Sequence, residues 1–239
     1  MYTFGSRIRY SECDPEGVLT ITSLLDYFQD CSTFQSEDLG VGIEPLRRMN
    51  AMWVINSWQI DIMRLPRMLE HVTIGTIPYE CKGFFGKRNF YMKDEKGDFI
   101  AKADTVWTYL NTVTGKPDRI PQEIIDRYGE MEKLDMEYVG RKIRIPKDTQ
   151  GEVKDPIPVT EHLLDVNHHV NNGKYLELAA SFMNEDIRPD RIRVEYRNQA
   201  FLNDVIYPTV YRGDGPVIVT LSDAEAKPYA VAEFSGGNL

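Results

Sequence analysis

The feature that most restricts how this chain can fold is an order of elements that occurs twice. From about Thr22 to Leu39, Leu24, Leu25 and Phe28 share a helical face with Cys31 about one turn further on, and Gly40 and Gly42 supply a stop. Strand-like segments follow: "AMWVINSWQIDIM", "HVTIGTIPYE", "GKRNFYMKD", the turn "EKGD", and "FIAKADTVWTYL". From about Lys174 to Met183, Tyr175, Leu178, Ala179, Phe182 and Met183 form a second full helical stripe. Strands follow again: "RIRVEYRNQAF", "VIYPTVYRG", a turn at "GDGP", "VIVTLSD" and "YAVAEF". Alternation of Val, Ile, Thr, Tyr and Trp between Gly and Asp turns predicts antiparallel pairing. Lys102, Asp104 and Thr108 alternate with Ala101, Ala103 and Trp107, which predicts a sheet with one wet face.

The two halves align. "SECDPEGVLTITSLLDYF" lies over "HLLDVNHHVNNGKYLELA" with Asp14 on Asp165 and Leu24 on Tyr175. A tandem repeat of a helix against an antiparallel sheet is an α+β layer architecture. The boundaries read as 1–128 for the first repeat, 161–239 for the second, and a charged, Pro-dotted linker at 129–160 with room for one strand. Such a chain is either a monomeric pseudo-dimer or the protomer of a homodimer.

Composition narrows the class. With 42% hydrophobic and 27% charged residues in 239, the chain is globular and long enough for real cores. No run approaches the roughly 18–20 apolar residues of a membrane span. The start, "MYTFGSRIRYSE", resembles neither a signal nor a transit peptide, so a cytoplasmic location is expected. Cys13, Cys31 and Cys81 are scattered, with neither disulfide nor zinc spacing. A net charge of −9 argues against a duplex nucleic-acid binder. Basic clusters at Arg47-Arg48, Lys87-Arg88, 141–144 and 188–193 read as solvated faces or as a dock for an acidic partner.

Chemistry concentrates at the mouth of the second helix, where Asp165, Asn167, His168, His169, Asn171 and Asn172 fall within eight positions. One reading is ordinary capping: Asn171 or Asn172 as N-cap, Asp165 in a turn, His168 exposed. A metal site is disfavoured, because adjacent histidines project apart and His71 and His162 lie in unrelated contexts. There is no G-x-S-x-G, and Cys13, in the matching loop of the first repeat, has no activating neighbour in sequence. The remaining chemistry is general-base hydrolysis. Asp165 and His169 could hold and deprotonate a water, Asn167 could orient a carbonyl, and the N–H groups of the helix start could receive an oxyanion.

"DVNHHVNN" followed by Tyr175 resembles the D-x-N-x-H-V-N-N segment of the acyl-acyl-carrier-protein thioesterases. "YSECDPEGVLTITSLLDYFQDCSTFQSEDLG" resembles that family's N-terminal signature, and "VEYRNQA" its E-Y-R strand. The resemblance spans essentially the whole chain. It implies a double hotdog fold, two long helices each packed against an antiparallel sheet. It also implies hydrolysis of fatty acyl-carrier-protein thioesters to free fatty acid without a cofactor or metal.

By this resemblance Asp165, Asn167 and His169 take catalytic positions, and Gln199 stands where plant relatives commonly carry an acid, with Ala200 at a cysteine position. A glutamine amide is no base, so Gln199 is left to orient water. The acyl chain is expected against Met52, Trp53, Ile55 and Trp58, with Phe84 and Phe85 as further candidates, and Asn171, Asn172 and Tyr175 are expected to contact substrate. The acidic carrier protein is expected at Arg188, Arg191 and Arg193, which are equally well read as solvated charges. The first repeat's loop, "DPEGVLT", lacks Asn and His, so one active site per chain is expected. Two other readings stay open: a hotdog thioesterase or dehydratase acting on CoA esters, and a silent acyl-thioester-binding sensor.

Overall fold

In the computed structural model the described residues are 1–129, 131–146, 148–165, 167–183 and 188–236. Glu130 and Lys147 of the linker and Val166 of the polar motif therefore lie outside the described residues. Two compact units emerge, Met1–Asn56 with Ile60–Val139, and Ser57–Gln59 with Gly140–Leu239.

The first unit opens with β1 (Tyr2–Arg7) and a one-turn 3-10 helix (Tyr10–Glu12), then α1 (Ile21–Asp38) and α2 (Ile43–Arg48). It continues with β2 (Ala51–Ile62), β3 (His71–Lys82), β4 (Phe85–Lys93), β5 (Phe99–Asn111), β6 (Lys116–Pro117) and α3 (Gln122–Tyr128). The sheet runs β1-β3-β4-β5-β2, with β6 paired to β5. α1 starts where the Thr20 side chain accepts Ser23 N–H and stops at Gly40, whose φ of +70° suits glycine. Its buried face, Leu24, Leu25, Phe28, Cys31 and Gln35, keeps helical spacing and covers the sheet. There Phe28 stacks on Phe90 at 5.5 Å, a pairing that contributes about 0.5–1.5 kcal/mol beyond burial. The guanidinium of Arg88 is buried on the same face. It donates to Gln35 Oε1 (2.6 Å) and Thr76 Oγ1 (3.2 Å) and lies 5.1 Å over the Tyr128 ring.

The face expected to be wet is covered. Asn89, fully buried, accepts Leu134 N–H at 2.9 Å and the Tyr138 hydroxyl at 3.0 Å. Tyr79 and Asn89 both donate to Asp104 Oδ1. Residues 131–139, at the start of the expected linker, are thereby strapped across Asp104's face of the sheet.

The second unit contains β7 (Glu152–Val153), β8 (Ile157–Pro158), a 3-10 turn (Glu161–Leu163) and α4 (Asn172–Ala180). Then come β9 (Arg191–Tyr196), β10 (Val205–Tyr211), β11 (Val217–Ser222) and β12 (Pro228–Ser235). Their order is β9-β12-β11-β10-β7, with β8 also on β10. Among its described residues the linker region thus supplies two short strands, where one was expected. Its residue 143 is core as well, packed with Ile218 and Val231.

α4 presents Tyr175, Leu176 and Ala179 to the core; of the expected stripe Tyr175 and Ala179 are buried, while Leu178 is half-buried and Leu176, outside the stripe, takes the core position. It is half the length of α1 and ends before Met183. Ser181 Oγ turns back onto Leu178 O, and Phe182 N bonds Ala179 O, tightening the last turn instead of extending it.

Candidate active site

The polar loop and the first repeat's loop share one backbone design. Asp165 N bonds His169 O and His168 N bonds Asp165 O; likewise Asp14 N bonds Val18 O and Gly17 N bonds Asp14 O. Leu164 bridges Val170 as Cys13 bridges Leu19, and His169 bridges Phe201 as Val18 bridges Arg67. Val170 N donates to Ala200 O as Leu19 N donates to Pro66 O, both at 2.9 Å. Asp204 caps Phe201 N as Glu70 caps Arg67 N, both at 2.8 Å. His168 and Gly17 share a positive φ, 63° and 73°.

On this shared pattern the side chains differ. Glu16, Gly17, Val18 and Thr20 become Asn167, His168, His169 and Asn171. The aspartate is common to both loops, and in each its Oδ1 accepts the N–H two residues on: Asp14 from Glu16 (3.1 Å), Asp165 from Asn167 (2.8 Å). Asp165 therefore builds the turn, whatever else it does.

Its second oxygen looks into the cluster. Asp165 Oδ2 lies 3.4 Å from Asn167 Nδ2 and 3.5 Å from His169 Nδ1, with both the His169 and Asp165 side chains less than a fifth exposed. His169 Nδ1 also lies 3.4 Å from Val170 O. Two acceptors on that side favour the Nδ1–H tautomer, which leaves the Nε2 lone pair as the basic position. Asp165, Asn167 and His169 are thus brought together. His168 is exposed, held out by its left-handed backbone.

Gln199 enters through the backbone. Its neighbour Ala200 takes the Val170 bond, and Phe201 bridges His169, but the Gln199 side chain is exposed. At the helix mouth Asn171 is the cap: its Oδ1 accepts Gly173 N at 2.7 Å, and its carbonyl accepts Lys174 and Tyr175 N–H. The N–H groups of Gly173, Lys174 and Tyr175, among which the oxyanion was expected, are therefore already spent. Tyr175 is 2% exposed, its hydroxyl accepting Ala200 N–H at 2.8 Å. Tyr196, unmarked by sequence reasoning, donates to Asn172 O at 2.8 Å. Its place in the E-Y-R strand "VEYRNQA" was the available signal.

The other candidates scatter. On β2, Trp53 and Ile55 alternate to one face, Met52 and Trp58 to the opposite one, so the four line no common surface. Trp53 packs on Tyr109 at 5.3 Å in a core cluster, and Gly86 makes room: a Cβ there would stand 3.0 Å from the indole. Ile55 and Trp58 are 3% and 2% exposed. Phe84 is exposed, its ring 4.4 Å from that of Phe85.

Arg188 is exposed, and Arg191 is half-buried and already engaged. Arg193 is a correction. It is buried, pairs with Glu233 at 2.7 Å and donates to the carbonyls of Gly140 and Lys142, so it cannot receive a carrier protein.

No cysteine is activated. Burial and the charges of Asp14 and Glu12 raise the Cys13 thiol, and burial pushes Cys31 up to about 12. Among the described residues no three His, Cys, Asp or Glu side chains gather to hold a metal, and no helix is long and apolar enough to cross a membrane.

Two helix-on-antiparallel-sheet units in tandem, the second carrying an Asp/Asn/His loop at its helix start, define a double hotdog protein of the α+β class. Sequence profiles then identify the family. The acyl-ACP thioesterase N-terminal domain matches residues 2–128 and the C-terminal domain residues 146–213, so the chain belongs to the acyl-ACP thioesterase family. It is 26% identical over 221 residues to the chloroplastic palmitoyl-acyl carrier protein thioesterase of Gossypium hirsutum, covering 83% of this chain and 52% of that protein. The chain therefore spans about half the length of the curated relatives it matches. Its fold is similar to that of an acyl-ACP thioesterase from Bacteroides thetaiotaomicron (TM-score 0.89, 21% identity, 98% and 96% of the two chains). A putative oleoyl thioesterase from Lactobacillus plantarum is alike too (TM-score 0.88, 23%, 100% and 96%).

Proposed function

We propose that this chain hydrolyses fatty acyl-acyl-carrier-protein thioesters, releasing free fatty acid, with one site per chain at the 165–172 loop. One observation carries the reading. On a backbone scaffold common to both repeats, only the second loop replaces Gly and Val by His and gathers Asn167 and His169 around the shared aspartate. A turn needs none of these side chains, as the first repeat demonstrates.

The residues divide the work as follows. His169 Nε2 takes a proton from the attacking water, and Asp165, beside Nδ1, stabilises the imidazolium that forms. The water oxygen adds to the thioester carbonyl carbon, and the amides of Asn167 and Asn172 face the oxyanion. The carbon–sulfur bond then breaks, the imidazolium returns its proton to the departing thiolate, and the acid is released. Gln199 orients the water by hydrogen bonding and takes no proton. The repeat boundaries 1–128 and 161–239, with 129–160 between them, are proposed as the functional division.

A second reading rests on Gln199 itself: without the acid, the protein binds acyl thioesters without consuming them. The test is thiol release from carrier protein loaded with acyl chains of several lengths. Asp165→Ala, which removes both turn and partner, is expected to lose at least about a hundredfold in turnover. Asp165→Asn keeps the turn acceptor and isolates the partner role. Tight binding with no release, restored by Gln199→Glu, would establish the sensor instead. Full turnover in both Asp165 variants would sink this assignment of the site.

A further inference from the structure

We infer that Tyr175 is a positioning residue: its phenol oxygen anchors the Ala200 peptide, and with it the segment that carries Gln199 and bridges His169. The inference rests on the thioesterase reading of this site.

The two repeats supply the comparison. Tyr175 stands where the first repeat has Leu24, and Ala200 stands where it has Pro66. The carbonyls of Ala200 and Pro66 do the same task, each accepting the N–H that precedes the helix cap, from Val170 and Leu19 respectively. The nitrogen sides differ. Proline has no N–H, and Leu24, fully buried, has no acceptor to offer. Ala200 has an N–H and is 0% exposed, so water cannot satisfy it, and it donates to Tyr175 Oη at 2.8 Å. The pair Leu–Pro has become Tyr–Ala, and the two changes answer each other.

The anchor is itself rigid. Tyr175 sits in the first turn of α4, its N–H on the Asn171 carbonyl. Its ring lies 6.1 Å from that of Tyr196 and 6.5 Å from that of Tyr229, at interplanar angles of 51° and 27°. Tyr196 in turn bonds Asn172 O. The Ala200 peptide is therefore held on both sides, N–H by Tyr175 and carbonyl by Val170. The neighbours so positioned are Gln199, proposed to orient water, and Phe201, across from the proposed base. A hydrogen bond in the helix start thus transmits its geometry to two groups of the reaction without touching substrate.

The test is a pair of variants. Tyr175→Phe keeps the ring and removes the acceptor. We expect kcat to fall by about ten- to a hundredfold, with KM and the pH profile little changed. Adding Ala200→Pro removes the orphaned N–H and reproduces the first repeat's chemistry, and is expected to return most of the lost turnover. Parental turnover in Tyr175→Phe overturns the inference. So does a folded double variant that stays slow, or a displaced pH limb, since either would mean that the hydroxyl acts on substrate directly. If the double variant does not fold, the KM-against-kcat split and the pH profile of Tyr175→Phe decide. A parent protein that releases no thiol would sink the thioesterase reading separately. Amide exchange at 198–201 then tests the anchor: faster exchange in Tyr175→Phe supports it, unchanged exchange overturns it.

Discussion

Arg188 and Arg193 lie on one short stretch and end in opposite environments, one in solvent and one paired with Glu233 inside the second unit. Charge patterning cannot separate them, because a guanidinium reads alike on either face of a strand until its partner is known. Asp104 makes the same point about acids. Burial, ahead of the lowering effects of the Tyr79 hydrogen bond and of Lys87, holds its carboxyl up at about 6, against an ordinary value of 3.8. The folded protein therefore binds this proton more tightly than the unfolded chain. The stabilisation is fully present below the ordinary carboxylate value and is lost as pH rises through about 6. Asp104→Asn is expected to raise stability at pH 7.5 by about 1–3 kcal/mol and to give no gain near pH 4. Urea denaturation at both values checks it, and a pH-independent difference would refute the account.

At the scale of elements, the linker is the largest surprise. Its charge and prolines suggest a solvated tether, yet 131–139 is strapped to the first unit by Asn89 and 140–145 to the second by Arg193, Glu195 and Arg197. Asn89→Ala would leave Leu134 N–H without its acceptor and the Tyr138 hydroxyl with Leu134 O alone. A loss of about 1–3 kcal/mol follows, with earlier cleavage within 131–139 under limited proteolysis. Cleavage and stability identical to the parent would show that the strap needs no Asn89. The strands and α1 were legible because period and turn chemistry agree. The short helices α2 and α3 were not, since six or seven residues carry too little periodicity and neither has a side-chain cap.

Over the whole molecule, charge frames the encounter with a partner. An acidic carrier approaching a chain of net charge −9 needs a local basic surface, and of the three arginines expected to form one, Arg193 is buried, Arg191 is engaged and Arg188 is exposed. Thiol release from the carrier-bound substrate should fall more steeply with salt than release from the matching CoA ester, and Arg188→Glu should flatten that difference. Identical salt responses would remove the dock from this surface.

Fold class, the tandem order and the Asp165-Asn167-His169 cluster were open to reading in the sequence. Each depends on residues close together in the chain, where periodicity, turn chemistry and helix caps act. Two matters waited for tertiary structure: that Tyr175 faces Ala200, and that Arg193 belongs to Glu233. Contacts between distant segments depend on which face of a strand turns inward and on what lies opposite, and pairing decides that.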